Sequence, residues 1–94
     1  MTLITAQNIL RHELIGLDVR VASAMNPNLL TIRGKVIDET RNMLTIADNG
    51  RERLIPKNVV TFRFALQDET VVDVDGTRLV ARPENRLKTK VKHW

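Results

Sequence analysis

The chain has no cysteine and no tyrosine, one serine (Ser23), two histidines, and three aromatic residues in all: Phe62, Phe64 and Trp94. Without cysteine there is neither a disulfide nor a cysteine-ligated zinc, so the fold rests on its core or on a partner. His12 and His93 have no second ligand near them in sequence, which leaves no metal-binding spacing. Ser23 has no base or oxyanion hole beside it, and Gly16, Gly34, Gly50 and Gly76 are scattered instead of gathered into a phosphate loop. The carboxylates that do come in pairs, Asp38 with Glu39 and Asp73 with Asp75, fall at turns, whereas acid–base catalysis needs a raised pKa in a cleft. The chain on its own therefore does not read as an enzyme. Scarce aromatics also exclude a base-stacking platform and an aromatic-lined groove for proline-rich peptides. No apolar run approaches the roughly 20 residues of a membrane span, and Met1-Thr2-Leu3-Ile4-Thr5 lacks the features of a secretory signal. A cytoplasmic location is expected.

What is present is a balanced globular composition with an uneven charge. Hydrophobic residues make up 43% and charged residues 28% of 94 residues, enough for one domain with a single small core. The net charge of +4 resides in residues 82–94, where Arg82, Arg86, Lys88, Lys90 and Lys92 face Glu84 alone. The remainder is formally neutral. A neutral body with a cationic end suits a tail that meets a polyanion, because each phosphate neutralised releases counterions. The plainer reading is a solvated tail that aids solubility.

Along the chain, Thr5 can cap a short helix over about 6–15, with Leu10 and Leu14 on one stripe and Gly16 ending it. Leu17, Val19 and Val21 then alternate as a strand. A turn at Asn26-Pro27-Asn28 leads to a second strand over Leu30–Ile37, whose inward set is Leu30, Ile32 and Val36, with Gly34 marking a bend or close approach. Leu44–Ala47 and Glu52–Ile55 flank the tight turn Asp48-Asn49-Gly50-Arg51, and Pro56 ends the second of them. Thr61–Phe64 alternates with both phenylalanines inward. Val71–Val74 and Thr77–Ala81 flank Asp75-Gly76, which suits a type I′ hairpin. After Pro83 the basic segment is either helical from about Glu84 to Lys90 or unstructured until RNA orders it. Together these predict an all-β fold, a small twisted antiparallel barrel of about six strands. The expected division is an N-terminal segment with its short helix (1–16), the barrel (17–82) and a basic tail (83–94).

The basic residues are the candidates for function. Arg41 precedes the third strand, Arg51 and Arg53 follow the Asn49-Gly50 turn, Lys57 follows Pro56, and Arg63 projects opposite Phe62 and Phe64. On one edge of a closed barrel these would meet RNA phosphates, arginine being favoured for its forked donors. The plainer alternative pairs each with Asp38, Glu39, Asp48 or Glu52 nearby, to little energetic effect. Apolar residues are abundant near the N-terminus, and they either cap the barrel or form a patch that a partner covers.

In several segments in order, the chain resembles the archaeal ribonuclease P protein component 1 family, related to the eukaryotic 29-kilodalton ribonuclease P subunit. The segments are Leu10-Arg11-His12-Glu13-Leu14-Ile15-Gly16-Leu17, Gly34-Lys35-Val36-Ile37-Asp38-Glu39-Thr40-Arg41-Asn42-Met43-Leu44, Ile55-Pro56-Lys57, Thr61-Phe62-Arg63-Phe64, Asp75-Gly76 and Arg82-Pro83-Glu84. The resemblance implies an Sm-like or SH3-like barrel. It also implies a non-catalytic, RNA-binding subunit of the ribonucleoprotein that removes the 5′ leader of precursor tRNA, with magnesium used by the partner RNA and no cofactor on this chain. Implied partners are ribonuclease P RNA, a zinc-ribbon ribonuclease P protein, other ribonuclease P proteins and precursor tRNA in the assembled complex. Carried onto this sequence, Ile9, Leu10, Leu14 and Ile32 are the expected contact with a protein partner. Arg41, Arg51, Arg53, Lys57, Arg63, Arg86, Lys88, Lys90 and Lys92 are the expected RNA contacts. The alternative is an Sm-like RNA-binding module that forms a homo-oligomeric ring.

Overall fold

Alternating apolar residues in segments of five to seven residues give six strands in the computed structural model, which describes residues 9–11, 13–66 and 69–80. They are β1 (Asp18–Ala24), β2 (Arg33–Glu39), β3 (Met43–Asp48), β4 (Arg51–Pro56), β5 (Val60–Ala65) and β6 (Val71–Asp75), and they form one antiparallel sheet in the order β4-β3-β2-β1-β5-β6. The period of two puts Val19 and Val21 of β1, Val36 of β2, Leu44 and Ile46 of β3, Ile55 of β4, and Phe62 and Phe64 of β5 on one buried face. The phenylalanine rings, 6.0 Å apart between centroids, are fully buried in this core. Register breaks between Val21 and Ser23 and between Val36 and Asp38 curl the sheet around it.

Gly34 shows why the curl needs a glycine. A Cβ built there would lie 1.8 Å from the Ala47 carbonyl oxygen on β3, so only a residue without a side chain lets the strands approach. The β3–β4 turn runs as the sequence predicts: Asn49 (φ 52°) and Gly50 (φ 80°) both take the left-handed conformation of a type I′ turn. Pro56 closes β4, and its neighbour Lys57 opens a 3-10 turn, Lys57–Val59.

The structure departs from four expectations. Instead of a helix over 6–15, the described residues show a single 3-10 turn at Ile9–Arg11, after which Leu14 and Leu17 fold down onto the core. Ile9 and Leu14 are buried there without the length a stable helix requires. Second, no ladder joins β4 to β6 among the described residues, so the curled sheet is not closed as a barrel by strand pairing. Third, Asp75-Gly76 does not turn a hairpin. Asp75 accepts hydrogen bonds from the Thr77 N–H (3.0 Å) and hydroxyl (2.9 Å), capping a 3-10 turn at Gly76–Leu79. Gly76 packs where a Cβ would meet the Lys57 carbonyl oxygen at 1.7 Å, so it serves close approach, not a reversing turn. β6 pairs with β5 instead. Leu30, expected inward, lies in a 3-10 turn (Pro27–Thr31) capped by Asn26 and is exposed. The expected helix from Glu84 to Lys90 lies outside the described residues.

Candidate nucleic-acid interface

The positions opposite the core on β1, β2 and β5 carry charge. Arg20 is in register with Arg33 on β2 and with Arg63 on β5, and Arg63 in turn with Asp73 on β6. Directly opposed residues share a sheet face, and neighbouring strands lie about 4.8 Å apart, so Arg33, Arg20 and Arg63 form a row about 10 Å long. Arg63 grips Asp73 with two parallel bonds, Nε to Oδ1 at 2.7 Å and Nη2 to Oδ2 at 3.0 Å. Those bonds hold the Asp73 carboxyl below its usual range, slight desolvation works the other way, and the charges of Arg63 and of Arg20 across the strand lower it further. Arg63 is correspondingly raised. Two residues along, Lys35 donates to Asp18 at 2.9 Å in an exposed pair of little energetic weight. Beside the row is an open depression of about 480 Å³, whose walls include Arg20, Arg33, Asp48, Asn49 and Arg63.

The structure sorts the expected RNA contacts. Arg63 belongs to the row. Arg41 is exposed in the β2–β3 turn and Arg51 is exposed at the start of β4. Arg53 is half-buried and opposes Ile46, on the core side of its strand, so it does not join the row. Lys57 is the correction: its side chain is fully buried. The ammonium donates to Glu39 Oε2 (2.6 Å), the Thr40 carbonyl (2.7 Å) and the Leu79 carbonyl (2.9 Å), and the Glu39 side chain is equally buried. It ties the end of β2 and the following turn to the segment after β6, and is not presented to a phosphate. Arg86, Lys88, Lys90 and Lys92 lie outside the described residues.

Of the residues expected at a protein interface, Ile9, Leu14 and Ile32 are buried in the core and Leu10 packs partly against it. The apolar segment before β1 therefore closes the core of this chain. Large apolar side chains that stay exposed include Met25, Leu54 and Val71. Sequence reasoning missed Arg20 and Arg33. Their outward parity on β1 and β2 was available as a signal, but which arginines stand side by side follows from register, which no local pattern supplies. Among the described residues no cluster of three or more histidine or acidic side chains is placed to hold a metal.

Residues 7–89 match the family model for ribonuclease P/MRP, subunit p29. The chain belongs to this family. It is 53% identical over 91 residues to ribonuclease P protein component 1 of Methanocaldococcus jannaschii, covering 96% of this chain and 95% of that one. It is 48% identical to the protein of the same description from Methanothermobacter thermautotrophicus, over 96% and 98% of the two chains. A solved structure of a homologue of the human RNase P protein Rpp29 superposes with a TM-score of 0.58 at 47% identity, covering 80% of this chain and 97% of that one. As a p29-family member the chain is a protein subunit of ribonuclease P, acting in precursor-tRNA processing as an accessory to an RNA that performs the catalysis. The family match extends past the described residues and takes in Arg82, Arg86 and Lys88.

Proposed function

We propose that this subunit acts by binding ribonuclease P RNA through cationic surface on the sheet together with its C-terminal segment, and that it contributes charge and position, not reacting groups. The observation that carries the reading is the row Arg33–Arg20–Arg63, which gathers three arginines on one face of a body that is formally neutral as a whole. Arg41 and Arg51, both exposed, extend the cationic surface beyond the row. Arg86, Lys88, Lys90 and Lys92 add the net positive charge of the chain. The body, about 17–82, holds the RNA-facing sheet, and the segments 1–16 and 83–94 flank it. Guanidinium groups on a rigid sheet offset phosphate repulsion at fixed positions, which relieves the magnesium demand of the RNA and stabilises its folded form. The zinc-ribbon ribonuclease P protein remains the proposed protein partner. With Ile9, Leu14 and Ile32 inside the core, its docking surface is sought among the exposed side chains.

The test is RNA affinity as a function of salt. Each phosphate contact removed from a single-stranded region lowers the slope of log K against log salt by about 0.7, and by about 0.9 in a duplex. Lys88→Ala/Lys90→Ala/Lys92→Ala should weaken binding and flatten the slope by about 2, and Arg41→Gln/Arg51→Gln by about 1 to 2. Unchanged affinity and slope in both variants would overturn the reading. Sedimentation of the free chain as a discrete ring would favour the homo-oligomeric module instead.

A further inference from the structure

The depression beside the arginine row is more than a cationic patch, because its rim carries both signs. Arg33 makes no ion pair among the described residues, and Arg20 faces an Asp73 whose two oxygens Arg63 already occupies. Asp48 and Asn49 also line the depression, and their side chains have no hydrogen-bond partner among the described residues. A bare phosphate would gain from the arginines but be repelled by Asp48. A ligand with an anion at one end and an N–H donor at the other satisfies both.

The floor sets the shape of that ligand. Its apolar lining is Gly34, Ala47 and Ala65 with Val19 and Val71, small side chains against which a flat group can settle. The volume of about 480 Å³ lies in the range of small-molecule sites, larger than one phosphate requires. Asn49 is held by the type I′ turn at φ 52°, so its amide projects from a fixed backbone.

We infer that this depression receives one unpaired nucleotide of an RNA strand, its phosphate on Arg20 and Arg33 and the amino-bearing edge of its base on Asp48 and Asn49. Aspartate accepts from the cytosine amino group in base recognition, and guanidinium planes serve as stacking surfaces for unstacked bases. A duplex keeps that edge paired, so the ligand is single-stranded. The inference rests on the RNA-binding reading and adds to it a site, a strandedness and a base preference.

The experiment is a backbone-amide NMR titration of the full chain with oligocytidylate and with oligouridylate of equal length, which match in charge and differ at the base edge, where cytosine presents an amino donor and uracil a carbonyl acceptor at the same position. Oligocytidylate should shift the amides of Gly34, Asn49 and Ala65 and bind at least about fivefold tighter than oligouridylate. Free cytidine monophosphate should shift the same amides far more weakly, because it lacks the flanking phosphates. Arg20→Gln/Arg33→Gln should weaken oligocytidylate binding about tenfold. Ala65→Leu, which fills the depression at an exposed position and leaves every charge in place, should do so comparably. Equal affinity for the two strands, shifts confined to the C-terminal segment, no effect of Ala65→Leu, or no shifts at millimolar strand would each overturn the site. The RNA-binding reading is judged separately, by the salt slopes of the variants at Arg41, Arg51 and the C-terminal lysines.

Discussion

Replacing Lys57 by methionine keeps the length of the side chain and removes the ammonium shared by Glu39 and the carbonyls of Thr40, Arg41 and Leu79. The buried Glu39 carboxylate then loses the Lys57 ammonium, and the carbonyls of Thr40, Arg41 and Leu79 lose a charged donor. Removing one member of a buried ion pair costs about 3–5 kcal/mol, mostly from the charge left behind. A domain of this length has about 5–14 kcal/mol in all, so the variant loses at least about a fifth of its stability, and its midpoint falls by at least about 12 °C. The double variant Lys57→Met/Glu39→Leu removes the buried carboxylate as well but still deprives the carbonyls of their charged donor, at about 1–3 kcal/mol for each bond lost. It should therefore sit between the parent and Lys57→Met. Urea unfolding of the parent, both single variants and the double variant gives the coupling energy directly, and a value of at least about 2 kcal/mol in favour of the pair is expected. If Lys57→Met cost less than about 1 kcal/mol, or if adding Glu39→Leu failed to restore any stability, the structural role assigned to this lysine would be refuted.

Gly34→Ala should destabilise by at least about 2 kcal/mol in urea unfolding, since the new methyl group collides with the Ala47 backbone and not with a movable side chain. Gly50→Ala, in open space but at φ 80°, should cost only about 1–2 kcal/mol by the same measurement. Asp73 has a lowered folded-state pKa, so its pairing with Arg63 contributes stability above the unfolded pKa of about 3.9 and loses it as pH falls through the lower folded value. Carboxyl NMR titration should show the Asp73 midpoint rising toward the ordinary value in Arg63→Gln, and an unmoved midpoint would remove the pairing as its cause. Asp75→Ala should destabilise the turn after β6 more than Asp75→Asn, which keeps an acceptor for the Thr77 N–H, as read by amide exchange at Thr77.

How much of this was legible in the sequence depends on whether the deciding physics was local. Period-two alternation placed Val19, Val21, Phe62 and Phe64 inward, and Asn49-Gly50 declared its turn, because strand parity and backbone conformation are encoded by adjacent residues. Asp75-Gly76 failed as a hairpin for the opposite reason. The same dipeptide suits a capped 3-10 turn, and the approach of the Lys57 backbone, from a distant segment, chose between the two. Lys57 misled in the same way: a lysine after a strand-ending proline reads as exposed, and its burial becomes visible only when Glu39, Thr40 and Leu79 converge on it. The candidate interface was half legible. Arg63 was recognised from its parity, whereas its alignment with Arg20 and Arg33 is a property of register across three strands.

The central claim, an accessory subunit that works by binding RNA, is tested most directly by precursor-tRNA cleavage at limiting magnesium. Cognate ribonuclease P RNA and the other protein subunits would be supplied, with this chain added or withheld. The account predicts a clear gain in cleavage on addition, reduced by Arg20→Gln/Arg33→Gln and by loss of the C-terminal lysines, and shrinking as magnesium is raised. No gain from correctly folded chain, or a gain untouched by both sets of variants, would contradict it.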